Sequence, residues 1–137
     1  MDDLRLITIP ISHFCEKARW ALELADMPYQ EEPHMQGIHW AHVWRAGRGW
    51  TAPVLVTPKG PLRESAQIVR FADAHAQLGL YRNPLAAALE ARYDHHLGPD
   101  ARSWMYNRML ERPDLMEVYG APGVPRWERA GLPMMLR

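Results

Sequence analysis

A chain of 137 residues, 47% hydrophobic and 23% charged, suffices for one globular domain or one and a half, since such units run to about 100–150 residues; a multi-domain machine is excluded. Sixteen basic residues balance sixteen acidic ones, so there is no global field to hold a nucleic acid or an anionic membrane, and neither is expected as a partner. Cys15 is the single cysteine, which rules out an internal disulfide and suits a reducing, cytoplasmic compartment; no run of about 18 apolar residues is present to span a bilayer, and Met1-Asp2-Asp3 lacks the basic start of a signal peptide.

The predicted elements follow in chain order. Leu4–Ile9 is apolar on both alternating faces, as in a strand buried in the middle of a sheet, and Pro10 ends it. From about His13 to Ala25, Phe14, Ala18, Trp20, Ala21, Leu22 and Ala25 recur at helical spacing. Tyr29–His34 reads as a short strand whose Pro33 and charges suit a sheet edge. Met35–Trp50 shows no clean period and reads as a loop with at most one short helix. Val54–Thr57 is a β-branched strand, Pro58-Lys59-Gly60 a turn and Pro61-Leu62-Arg63 a returning strand. Ser65 opens the next helix as its N-cap, with Ile68, Val69, Ala72 and Ala76 as the apolar stripe.

A second unit begins after Gly79–Arg82. Asn83-Pro84 is an N-cap followed by proline at the first helical position, and Gly98 reads as the C-terminal stop of that helix. Leu85, Leu89, Arg92, Tyr93 and His96 share one of its faces. Asp100 can cap a further helix that carries Trp104, Met105, Tyr106 and Met109 and ends before Pro113. Pro and Gly become denser from Gly120 onward, ahead of an apolar Leu132–Leu136 stretch. The spacing therefore predicts an α/β fold of order βαβ-ββα over residues 1–80, followed by an all-α segment over 83–137.

Three segments carry a resemblance. The run Ser12-His13-Phe14-Cys15-Glu16-Lys17-Ala18-Arg19-Trp20-Ala21-Leu22 lies at the first strand-to-helix turn, Ala52-Pro53-Val54-Leu55 opens the hairpin, and Glu64-Ser65-Ala66-Gln67-Ile68 starts the next helix. Together, in this order, they resemble the glutathione S-transferase superfamily, whose N-terminal half is a thioredoxin-like domain with a mixed four-stranded sheet and whose C-terminal half is helical. Leu97-Gly98-Pro99 with Arg102 and Trp104 is similar to the opening helices of that second half. The helical segment is shorter than the family's usual one, so the chain is expected to be a shortened member or a fragment. Where a Gly-Lys pair often precedes the family's proline strand, this chain has Gly49-Trp50-Thr51, with Arg45 or Arg48 as replacements for the cation.

The resemblance implies glutathione as co-substrate and a small electrophile as second substrate; a homodimer is expected because residues 83–137 leave Trp and Met faces with too few helices to cover them, and no metal is expected. Ser12 matches the residue that activates the thiol. A helix N-terminus favours a thiolate over a thiol, and a hydroxyl donor there lowers the thiol pKa further; Ser12 is also an ordinary helix cap. Cys15 stands three positions on, either as a core thiol or as the nucleophile of a monothiol exchange, which would require exposure and a lowered pKa. Phe14 belongs to the substrate-binding set. The bond between Ala52 and Pro53 is implied to be cis, with the Ala52 backbone pairing the cysteinyl part of glutathione. Glu64 and Ser65, at a helix start, suit the zwitterionic γ-glutamyl end and equally a plain cap. His39 and His42, and Asp94 with His95 and His96, are of zinc-ligating types, but nothing completes either set. Three functions remain open: a transferase acting through Ser12, a non-catalytic interaction or stress-response module on the same fold, and a glutathione-dependent thiol reductase acting through Cys15.

Overall fold

The computed structural model describes residues 4–130; Met1–Asp3 and the apolar Leu132–Leu136 stretch lie outside them. Four strands, β1 (Arg5–Thr8), β2 (Gln30–Pro33), β3 (Val54–Thr57) and β4 (Gly60–Leu62), form one mixed sheet in the order β2-β1-β3-β4. β1 pairs parallel with β2 and antiparallel with β3, with Leu6 opposite Leu55 and Ile7 opposite Val54. The all-apolar reading of β1 follows from its central place, because alternate side chains leave opposite faces and both are covered. Leu6 and Leu55 enter a core with Ala18, Leu22, Ile68 and Ala72 from α1 (His13–Leu24) and α3 (Ser65–Ala76). Ile7 and Val54 meet Val43 of α2 (His39–Gly47) on the other face. β2, with two glutamates and a proline, takes the edge, as its composition predicts.

The structure shifts several boundaries. The segment read as a loop with at most one short helix holds one helix of nine residues, α2, whose buried residues are His39, Val43 and Gly47, four apart along one face. That stripe has one apolar member, while Trp40 and Trp44 point outward and are about half exposed, so the hydrophobic period is hidden. β4 begins one residue earlier than predicted, at Gly60. Glu64, not Ser65, is the N-cap of α3, and Ser65 is its buried first residue; Gln67 reaches back to accept from the Arg63 N–H at 3.0 Å.

Gly98 does not stop a helix. Helix α4 (Pro84–Arg92), capped by Asn83 Oδ1 on the Leu85 N–H at 2.9 Å, runs through a π-helical turn (Tyr93–Leu97) into α5 (Gly98–Met109), and Asp100 lies inside α5 rather than before it. A proline in a helix interior clashes with the carbonyl four residues back, and a wider π turn ahead of Pro99 gives that ring room. Gly98 is there for closeness: a Cβ on it would stand 2.5 Å from Phe14 Cζ and 3.2 Å from His13 Nε2. The α4–α5 rod thereby touches the first turn of α1. A further link comes from Lys17, which pairs with Glu90 at 2.9 Å and Asp94 at 2.8 Å. Beyond α5 lie the short helices α6 (Pro113–Gly120) and α7 (Arg126–Arg129), and Ala121 and Val124 pack onto Met35 beside the sheet edge.

Candidate functional site

A cleft of about 700 Å³ opens where the sheet's loop ends face the α4–α5 rod. Its sheet side is built from the three sequence motifs. Ser12, His13 and Phe14 supply the first turn of α1, Ala52 and Pro53 the entry to β3, and Glu64 and Ser65 the start of α3. The opposite wall is Glu90, Asp94, His95, Arg102, Met105 and Tyr106, and Gln36, His39, Trp40 and Trp50 close one end.

Ser12 caps α1 with extended backbone, and its Oγ accepts from the Cys15 N–H at 3.4 Å. That distance is long for an N–H···O bond, and because the oxygen only accepts in it, the hydroxyl proton is free to serve another acceptor. The first two helix-turn N–H groups point the same way by construction of a helix start. The Ala52–Pro53 peptide bond is cis. Glu64 is exposed and Ser65 buried at the cleft floor. The cations on the cleft are Arg63, Arg70 and Arg102; the lining does not include Arg45 or Arg48, the replacements suggested by sequence. Arg63 was hidden because it follows β4, remote in sequence from the Gly49-Trp50-Thr51 loop, although its side chain comes within 3.9 Å of where a Cβ on Gly49 would stand.

Cys15 faces inward, fully buried, with its sulfur accepting from the Ile9 N–H at 3.4 Å. Burial pushes its thiol up, against the smaller opposing effects of the Ser12 and Ile9 contacts, which is the reverse of what a nucleophilic cysteine needs. It lines no part of the cleft described above.

The far wall was not legible as a site. His13 stacks at a tilt on Phe14 with ring centres 4.2 Å apart, and the Arg102 guanidinium lies 5.6 Å from the Phe14 ring centre. Desolvation lowers the His13 pKa, Arg102 adds to this, and Asp94 opposes it. Tyr106 bonds Gln36, and burial raises its pKa. In sequence, Met105 and Tyr106 read as core or interface, because helical spacing alone does not tell a cleft-facing residue from a packed one. At the closed end, Trp40 of α2 and Trp50 from the segment that follows it line the cleft.

The family model described as "Glutathione S-transferase, N-terminal domain" matches residues 6–79, more than half of the chain. The chain belongs to the glutathione S-transferase family: a thioredoxin-like domain followed by a helical segment. Among solved structures, a Tau class glutathione S-transferase from mango, Mangifera indica, is 21% identical with a TM-score of 0.61, over 84% of this chain and 61% of that one. A nematode-specific enzyme of this name from C. elegans is 20% identical with a TM-score of 0.64, over 80% and 54%, and the glutathione S-transferase from Ascaris lumbricoides is 18% identical with a TM-score of 0.55, over 80% and 53%. The chain thus spans between half and three-fifths of the length of these relatives in fold. No curated protein matches the sequence.

Proposed function

We propose that the chain binds glutathione in the 700 Å³ cleft, holds its sulfur as a thiolate at Ser12, and lets it attack a small electrophile lodged against the far wall. One observation carries this: three segments far apart in sequence, at Ser12–Phe14, Ala52–Pro53 and Glu64–Ser65, line the same cavity. The N–H groups of the α1 start stabilise the anion, the Ser12 hydroxyl donates to it, and holding sulfur and electrophile together makes the reaction effectively unimolecular. Glu64 suits the ammonium of the γ-glutamyl end, and the α3 start with Ser65 suits its carboxylate. Trp40, Trp50, Met105 and Tyr106 offer an apolar bed for the electrophile. The burial of Cys15 favours Ser12 over a thiol reductase that uses Cys15. The single buried thiol also fits a cytoplasmic setting, and the exposed Trp20, Leu24 and Tyr93 support a homodimer.

The test is calorimetric titration with glutathione, followed by turnover of an aryl halide electrophile and by ultraviolet thiolate absorbance across pH. Saturable binding with a thiol pKa below that of free glutathione supports the reading. Binding with neither a lowered pKa nor turnover converts it to a non-catalytic glutathione-binding module, and no binding removes it.

A further inference from the structure

We propose that His34, His42 and Glu128 form a binding site for a divalent first-row transition ion, Zn²⁺ foremost, which fastens α7 to the edge of the sheet. The three residues come from the turn after β2, from α2 and from α7, and one donor atom from each lies within 4.8 Å of the others. His34 Nδ1 is 2.7 Å from Glu128 Oε1, and His42 Nε2 is 4.0 Å from the same oxygen. Donors about 2.0–2.2 Å from a tetrahedral zinc stand roughly 3.3 Å apart, inside the observed range; because an imidazole lone pair lies in the ring plane, the His42 ring swings out of its stack on His34 to bring the three onto one ion. Two imidazoles and a carboxylate leave the fourth position open, and His42, with 31% of its side chain exposed, gives water and ion a way in.

The surroundings fit a cation better than the three residues alone. Glu128 has no exposed surface, so its charge requires compensation. Its Oε2 already accepts from the Met35 N–H at 2.8 Å, a contact that fixes the carboxylate as outer-shell bonds fix metal ligands and turns Oε1 toward the histidines. His34 Nε2 is buried without a hydrogen-bond partner. Either tautomer leaves that atom unpaired, so exchanging the Nδ1 proton for an ion sacrifices no bond on the far side of the ring. The donor set suits zinc by type, since imidazole with carboxylate excludes the soft thiolate sites and falls short of the all-oxygen sites of Mg²⁺ and Ca²⁺. Gly123, whose Cβ would come within 3.1 Å of Pro33, and the Met35–Ala121–Val124 cluster bring α7 close enough to deliver Glu128.

The experiment uses the whole chain, tag removed, stripped with a chelator and kept free of glutathione, which binds metals itself. Titration with Zn²⁺ should show one site per chain and raise the unfolding temperature, and Co²⁺ in its place should give the intense visible bands of a four-coordinate ion. His42→Ala, at a partly exposed position that does not threaten folding, should weaken Zn²⁺ binding at least about tenfold and abolish the cobalt spectrum, whereas His75→Ala should change neither. Glu128→Gln tests the buried ligand if it folds. A wild-type chain with no such site, or a His42→Ala chain that binds Zn²⁺ equally well, overturns the proposal and leaves a buried His–Glu pair. Neither result bears on the glutathione cleft.

Discussion

At the scale of single residues the chemistry rests on Ser12. Ser12→Ala should leave glutathione affinity nearly intact, because Glu64, Ser65 and the Ala52 backbone line the rest of the cleft. Removing one donor to a stabilised anion costs about 10²–10³ in rate when it acts alone; with helix N–H groups sharing the charge, a loss of about tenfold to a hundredfold is expected. The pH–rate profile should move to higher pH, since the bound thiol loses a donor to its charged form. An unmoved profile would reduce Ser12 to a cap. As a cap it is weak, its bond to Cys15 being 3.4 Å long, so the stability loss should lie near the low end of the range for cap deletions, about 0.5 kcal/mol. Cys15 makes the opposite prediction. Buried and with its thiol pKa raised, it should react with an alkylating reagent only as fast as the fold opens, so the labelling rate should climb with denaturant; rapid labelling of the native chain would return it to candidacy.

Among the elements, the contact between α1 and the α4–α5 rod decides whether the cleft has two walls. Gly98→Ala sets two effects against each other. Alanine gains about 1 kcal/mol of helix propensity over glycine, but its Cβ would lie 2.5 Å from the Phe14 ring, and overpacking costs about 1–3 kcal/mol. The ring is rigid, so the clash should win, by about 1 kcal/mol net, and turnover should fall with it because Phe14 adjoins Ser12. The denaturation midpoint and kcat/KM measured together check this; a variant as stable as wild type would mean that Phe14 swings away freely. Lys17→Met probes the same contact. It strands Glu90 and Asp94 opposite each other, with Arg70 at 3.3 Å and the Tyr81 hydroxyl, donating at 2.8 Å, as remaining partners of Glu90, and a loss of about 1–3 kcal/mol is expected from a partly buried pair broken on one side.

For the whole molecule, two sets of groups bound the pH range of stability. The Cys15 thiol and the Tyr29 hydroxyl, the latter pushed up to about 12 chiefly by burial, resist ionising in the fold. The unfolded chain ionises first, so stability is full below the ordinary thiol value of about 8.5 and declines as pH rises through the folded values. His39, lowered by burial, works the other way: the unfolded chain takes up the proton first, so stability present above about 6.5 fades as pH falls through the folded value. Urea midpoints recorded across pH should therefore peak between about 6.5 and 8.5, with the fully buried Cys15 weighing more than the partly exposed tyrosine. A Cys15→Ala chain should lose part of the alkaline decline. Glutathione at a hundredfold excess over its Kd should add about 2.7 kcal/mol, and light scattering at rising concentration should show dimers, given the exposed Trp20, Leu24 and Tyr93.

The sequence by itself determined what local physics controls. β1 announces its central place through apolar residues on both faces, α4 its start through Asn83-Pro84, and the cleft's near wall through three short motifs that a chain of this topology must bring to one end of the sheet. Only the tertiary structure decided the rest. Helix α2 is held by Val43 pressing on Ile7 and Val54, with Ala46 packed beside them, apolar anchors too sparse to show as a period. Gly98 has the local appearance of a helix stop and becomes a point of close approach because Phe14, distant in sequence, occupies the space a Cβ needs. Glu128 gives no signal in its own segment and gains meaning from His34 and His42. Caps, turns and periods act between near neighbours and are written in the order of residues, whereas a cleft wall or a ligand cluster is a distance between remote segments, fixed only when the core closes.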